Sequence, residues 1–217
     1  MDAIFDRVIR EFFPDTNIPH WKKWVFRAAF GNKIFSRLIN DEQLIDKNGV
    51  HWVSSVIDFF NVQCETEYSD FNNIPRLGAT VVISNHPTVM DGIALIHTIA
   101  QVRKDIKIVA NHILPMIFPQ VAELTIGIEN MAGKMSHKKF REMNDHLKNG
   151  GVLIICPAGK LASWSLSGLQ EHQWNPGFLQ LAMRNNAALV PVHITGSNSK
   201  TYYLAAMVWR QLSNIMI

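Results

Sequence analysis

From residue 78 onward the chain repeats one pattern: a short apolar run rich in β-branched residues, then a longer stretch of helical periodicity. The runs are ATVVIS (79 to 84), IKIVAN (106 to 111), LTIGIE (124 to 129), GVLIIC (151 to 156) and ALVPVHITG (188 to 196). Near-continuous apolar runs suit strands buried on both faces, and their alternation with helices predicts an α/β fold covered on both sides. Two of the intervening stretches carry helix punctuation. SHKKFREMNDHLKNGG (136 to 151) ends in a Gly pair suited to a left-handed cap, and NPGFLQLAMRNN (175 to 186) opens with Asn then Pro, a cap and a first-turn residue. Before residue 75 the pattern is helical and irregular, with HWVSSVIDFFNV (51 to 62) the clearest helix. The predicted organisation is an N-terminal helical region over 1–75 and an α/β core over 76–217, together one domain.

Composition narrows the function classes. At 217 residues, with 47% apolar and 18% charged residues, the chain can bury one substantial core and is not a disordered tail. A net charge of +3 without a Lys/Arg block gives no nucleic-acid footprint, so no nucleic-acid partner is expected. The two cysteines, Cys64 and Cys156, imply neither a disulfide framework nor a metal site, and point to a reducing compartment. The N-terminus, with Asp2 and Asp6, does not read as a signal peptide, and no run of apolar residues is long enough to span a bilayer. One stretch, WKKWVFRAAFGNKIFSRLIN (21 to 40), has five basic residues and no acid, with Trp21, Trp24, Phe35 and Leu38 on one helical face. It suits a helix lying in an anionic membrane interface, or equally a surface helix packed on the core.

The candidate chemistry lies in SNHPTVMDG, residues 84 to 92, directly behind the first apolar run. Pro87 keeps His86 extended and is itself well placed as the first helical residue. On one continuous helix His86 and Asp91 would face roughly 140° apart. With His86 outside the helix, its ring can fold back so that Asp91 reaches one nitrogen. The other nitrogen then faces the mouth at the carboxyl edge of the sheet, where open α/β folds place their ligands. That is a general base oriented by a carboxylate, with free N–H groups of the helix start available to an oxyanion or phosphate. The competing reading is a helix-entry histidine and a first-turn acid answering the helix dipole. His97, His146 and His193 have no zinc-ligand context. There is no G-x-S-x-G elbow, no cysteine beside a basic partner, and no phosphate-binding glycine pattern. A base without a protein nucleophile suggests that a substrate hydroxyl attacks an activated acyl group.

NHPTVMD resembles the N-H-x4-D motif of the glycerolipid and lysophospholipid acyltransferases, the group that includes 1-acylglycerol-3-phosphate acyltransferase. CPAGK (156 to 160) is similar to that family's F-P-E-G loop after a strand, and VPVHITG (190 to 196) to its V-P-V-x-x-x-G strand. The resemblance covers roughly residues 40 to 205. It implies a mixed sheet flanked by helices. It also implies acyl transfer from acyl-CoA or acyl carrier protein to a lysolipid hydroxyl, with no cofactor or metal. His86 would be the base and Asp91 its orienter, with Pro157, Ala158, Gly159 and Lys160 forming the acceptor-binding loop. The implied place of work is the cytoplasmic face of the inner membrane, as a peripheral protein. Alternatives are a hydrolase using the same base on water, or a non-catalytic lipid-binding relative.

Where the family has Glu, this chain has Ala158; for the usual Thr-Arg it has Lys160 and Leu161; and IGIEN (126 to 130) lacks the Arg that closes the family's second motif. The PAG loop, with LINDEQLIDKNG and IPRLGATVVISNHP, is closer to the bacterial hemolysin-named branch, related to the acyltransferases of ornithine-lipid synthesis. These departures fall at acceptor-binding positions and leave the acyl-transfer residues in place. Lys160 is then an anion contact or an ordinary loop lysine. Lys134, with Lys138 and Lys139, sits where a helix start disfavours positive charge, and either meets a bound anion or forms a solvated basic face. The closing WRQLSNIMI carries no Gly or Pro stop, leaving open a core that continues past residue 217.

Overall fold

A computed structural model describes residues 41–129, 136–165 and 168–198, together with Pro19, Leu38 and Tyr203. Apart from Leu38, the expected helix over 21–40 lies outside the described residues, as does Lys134. The described chain opens with helices α1 (Glu42–Ile45) and α2 (Gly49–Phe59) and a 3-10 turn, Tyr68–Asn73. The core then runs β1 (Thr80–Ser84), α3 (Asp91–Ile99), β2 (Ile106–Asn111), α4 (Leu114–Ile117), a 3-10 segment Pro119–Leu124, β3 (Thr125–Ile128), α5 (His137–Lys148) and β4 (Val152–Ile155). A short hairpin, β5 (Ser163–Ser165) and β6 (Gly168–Gln170), precedes α6 (Gly177–Arg184) and β7 (Ala188–Val192).

Five strands form one sheet in the order β3-β2-β4-β1-β7, and every pairing in it is parallel. The antiparallel pairing is confined to the separate β5-β6 hairpin. All five apolar runs of the sequence become strands of the sheet. The last stops at Val192, so His193 to Gly196 form a loop and not more strand.

Period-two alternation sends the strand residues to two cores. Val82, Ile108, Ile154 and Val190 pack with Trp52, Val53 and Val56 of α2 and with Leu95, Ile96 and Ile99 of α3. On the opposite face Val81, Ile83, Ile126 and Leu153 pack with Met143 and Leu147 of α5 and Leu181 of α6. Helix α2, upstream of residue 75, thus shares the core of the sheet. Its Trp52 is 1% exposed, and such a side chain contributes on the order of 1.5–3 kcal/mol by leaving water. Ser136 caps α5 through its hydroxyl, which accepts the Lys139 N–H. Among the described residues no helix is long and apolar enough to cross a membrane.

Candidate active site

Because the sheet is parallel, all its strands end at one edge. In the order β4-β1-β7 the three strands that precede the sequence motifs are neighbours: CPAGK follows β4, NHPTVMD follows β1, and HITG follows β7. Segments far apart in sequence, up to 109 residues, are therefore joined. The His86 carbonyl accepts the Ala162 N–H at 2.9 Å, just past the CPAGK turn. The Asn85 side chain meets both backbone groups of Ile194, donating to its carbonyl at 2.9 Å and accepting its N–H at 2.7 Å.

His86 Nδ1 lies 2.9 Å from Asp91 Oδ2, with side-chain exposures of 11% and 2%. Asp91 is held further by Thr88, whose N–H donates to Oδ2 at 2.7 Å and whose hydroxyl donates to Oδ1 at 2.5 Å. The Thr88 hydroxyl in turn accepts the Met90 N–H at 3.2 Å. The Asp91 carboxylate reaching back to the Thr88 N–H is one half of a capping-box exchange, while the Thr88 hydroxyl bonds Met90 and not Asp91 N–H. An Asp91 carboxylate accepting from Nδ1–H leaves Nε2 with its lone pair. Among the described residues no hydrogen bond reaches Nε2.

Pro87 is not the first helical residue, as the sequence led us to expect. The regular helix begins at Asp91, because the Thr88 and Asp91 side chains organise a turn ahead of it. The signal was present as T-x-x-D, which the proline obscured. The expected free N–H groups at the helix start are also largely committed. Thr88 N–H serves Asp91, Val89 N–H serves Asn198 at 3.2 Å, Met90 N–H serves Thr88, and Asp91 N–H serves the Thr88 carbonyl at 3.5 Å.

Pro157 to Lys160 make a tight turn, with the Gly159 N–H on the Cys156 carbonyl at 3.0 Å and Gly159 at φ 58°. The Pro157 carbonyl accepts Asn175 N–H at 2.9 Å, anchoring the turn to the start of α6. Lys160 is half-buried and makes no hydrogen bond or ion pair among the described residues. The turn's described link to His86 runs through the Ala162 backbone. At the start of α5, Lys138 is exposed and Lys139 pairs with Glu142 at 2.9 Å, which supplies its counter-charge without a ligand. Burial, with the Asp91 and Glu171 carboxylates nearby, pushes the Cys156 thiol up to about 12, so it holds its proton at neutral pH and is no nucleophile. Burial also raises Cys64.

Residues 65–195 match the family model described as Acyltransferase. The chain belongs to the acyltransferase family. The matched stretch takes in β1 to β7 with the His86–Asp91 turn and the 156 to 160 loop. The chain is also similar to a lyso-glycine lipid O-acyltransferase of Bacteroides thetaiotaomicron, 26% identical over 224 aligned residues covering 97% of this chain and 78% of that one. A lyso-glycine lipid O-acyltransferase of Phocaeicola vulgatus is 24% identical over 200 residues, 88% of this chain and 70% of the relative. No solved structure matches significantly.

For this acyltransferase, sequence reasoning singled out His86 and Asp91 but passed over Thr88, which bonds Asp91, and Asn85 and Asn198, which tie the neighbouring backbone to residues 194 and 198. The T-x-x-D pattern could have found Thr88. Asn198 carries no local signal, since its partners lie 109 and 111 residues away.

Proposed function

We propose that the chain moves an acyl group from a thioester donor, acyl-CoA or acyl carrier protein, to the hydroxyl of a lysolipid. His86 Nε2 takes the proton of the acceptor hydroxyl as its oxygen attacks the thioester carbonyl. Asp91 holds the ring and stabilises the imidazolium that forms. As the tetrahedral intermediate collapses the C–S bond breaks, and the departing thiolate receives the proton from the imidazolium. The ester and the free thiol are the products. The observation that supports this reading is the His86–Asp91 contact at a sheet edge, with no bond to Nε2 among the described residues. Burial that keeps the Cys156 thiol protonated fits direct transfer to the hydroxyl better than an acyl intermediate on that cysteine.

The acceptor of the two relatives, a lyso-glycine lipid, is the first to test. Lys160 is the proposed contact for an anionic headgroup. Residues 21–40 are proposed to hold the protein at a membrane surface on the cytoplasmic side. The deciding experiment incubates the purified protein with a panel of lysolipids, lyso-glycine lipid included, and either acyl carrier, reading products by mass spectrometry. A new ester that falls roughly 10²- to 10⁴-fold in His86→Ala is expected. Free fatty acid in place of ester would make the protein a hydrolase, and undiminished transfer by His86→Ala would remove the base.

A further inference from the structure

Between His86 and Asp91 the chain makes a four-residue turn whose side of the site is closed by a single distant amide. Asn198 Nδ2 donates to the Pro87 carbonyl at 3.3 Å, and Asn198 Oδ1 accepts the Val89 N–H at 3.2 Å. One planar carboxamide thus satisfies two peptide groups that flank Thr88, as a neighbouring strand would. The rest of residues 194 to 198 follows the same course. Ile194 is bound by Asn85, and a Cβ on Gly196 would sit 3.2 Å from Thr88 Cγ2, so the backbone there passes close against the turn. Asn198 is itself held, its N–H donating to the Tyr203 hydroxyl at 3.0 Å. Tyr203 is buried with Leu161, against Val89.

Asp91 opens α3, which packs on the sheet through Leu95, Ile96 and Ile99, and its bonds to Thr88 tie that residue to the helix start. Nothing in that exchange holds Pro87 or Val89. His86 is pinned independently through its carbonyl to Ala162. The Nδ1–Oδ2 distance therefore depends on how the 87 to 89 peptides sit, and Asn198 is what seats them. We propose that Asn198 is a positioning residue for the His86–Asp91 pair, acting through the backbone of the turn and not by touching substrate. This rests on the acyl-transfer reading above, with His86 as base.

The test compares Asn198→Leu, which removes both bonds, with Asn198→Asp, which keeps the acceptor for Val89 N–H at nearly the same volume. The whole chain is assayed with acyl-CoA and lyso-glycine lipid, the acceptor named for the two relatives. Asn198→Leu is expected to lower kcat roughly 30-fold with KM within about twofold, since a misplaced catalytic group costs rate before binding. Asn198→Asp should recover part of that loss, and it also carries the test if the Leu variant does not fold. The decisive arm is a double-mutant cycle. In an Asp91→Asn background the Asn198 substitutions should cost almost nothing further, because the contact they serve is already gone. A residue that merely stabilised the fold would cost the same in both backgrounds. Full kcat in both Asn198 variants, or additive losses in the cycle, would overturn the proposal. The parent reading fails separately: if His86→Ala keeps wild-type transfer there is no base to position. If His86→Ala is inactive while both Asn198 variants are not, only the present inference falls.

Discussion

The two edges of the sheet each bury a charged side chain, and they use it in opposite ways. At the amino edge Arg103, 5% exposed, donates to Asp105 Oδ1 at 2.9 Å and Oδ2 at 2.6 Å, to the Pro75 and Gly78 carbonyls at 3.0 Å, and to the Gly150 carbonyl at 2.5 Å. A guanidinium has five N–H donors, so every one is used. Gly78 and Gly150 sit at φ 87° and 82°, a left-handed backbone that turns their carbonyls inward at no Cβ cost. At the carboxyl edge Asp91 is also well bonded, but among the described residues the network runs through an imidazole and stops at Nε2. A closed network fixes chain segments in place. One that ends on an unpaired ring nitrogen at the sheet mouth can pass a proton to something outside the protein.

Replacing Asp91 should break the open network with the largest effect. Asp91→Asn keeps shape but sets an amide against Nδ1, so the ring can turn or take the wrong tautomer. We expect kcat to fall on the order of 10³-fold with little change in thermal unfolding, measured by ester formation and by melting of the same preparation. Wild-type kcat in this variant would reduce Asp91 to a helix-start acid, as the competing sequence reading had it.

The unequal legibility of the two edges follows from where their partners lie. Strands such as IKIVAN were readable because burial on both faces demands continuous apolar runs. His86 and Asp91 were readable because they are five residues apart, and a proline explained how their side chains could converge. Arg103 sits in QVRKDIK, which looks like a solvated charged loop. What makes it structural is the meeting of residues 75, 78 and 150 at one guanidinium, a product of strand order. Asn198 was hidden for the same reason. The misplaced helix start has another cause: two side-chain bonds between Thr88 and Asp91 outweighed the preference of Pro87 for a first helical turn.

Breaking the closed network should cost stability and leave chemistry alone. In Arg103→Met the ion pair itself matters little, since Asp105 is 49% exposed. The loss comes mainly from the Pro75 and Gly150 carbonyls, each costing about 1–3 kcal/mol when left unpaired away from water, because the Gly78 carbonyl is exposed and keeps the Thr80 hydroxyl at 3.2 Å. We expect unfolding to be easier by about 2 kcal/mol or more in denaturant titration, with kcat of the folded fraction within about twofold. A large fall in kcat at unchanged stability would mean that the two edges are not independent.

The smallest effect separates two histidines by pH. His146 lies near the amino edge at the end of α5, its Nε2 2.9 Å from the Val152 carbonyl and its ring against Gly151, where a Cβ would overlap it. Burial holds this imidazole below the usual histidine range, with Lys107 adding to the effect. Below about pH 6.5 the unfolded chain therefore binds the proton that the folded one resists, and stability falls as pH drops until the folded-state value is passed. His146→Gln keeps an N–H for the Val152 carbonyl and cannot titrate. Denaturation midpoints taken from about pH 7.5 to about pH 5.5 should fall less in the variant than in the wild type, while acyl transfer at neutral pH is unchanged. An identical pH slope in both proteins would place the acid sensitivity elsewhere. A loss of transfer in the variant would undo the division itself, because a histidine on the closed side of the sheet would then be acting on the open one.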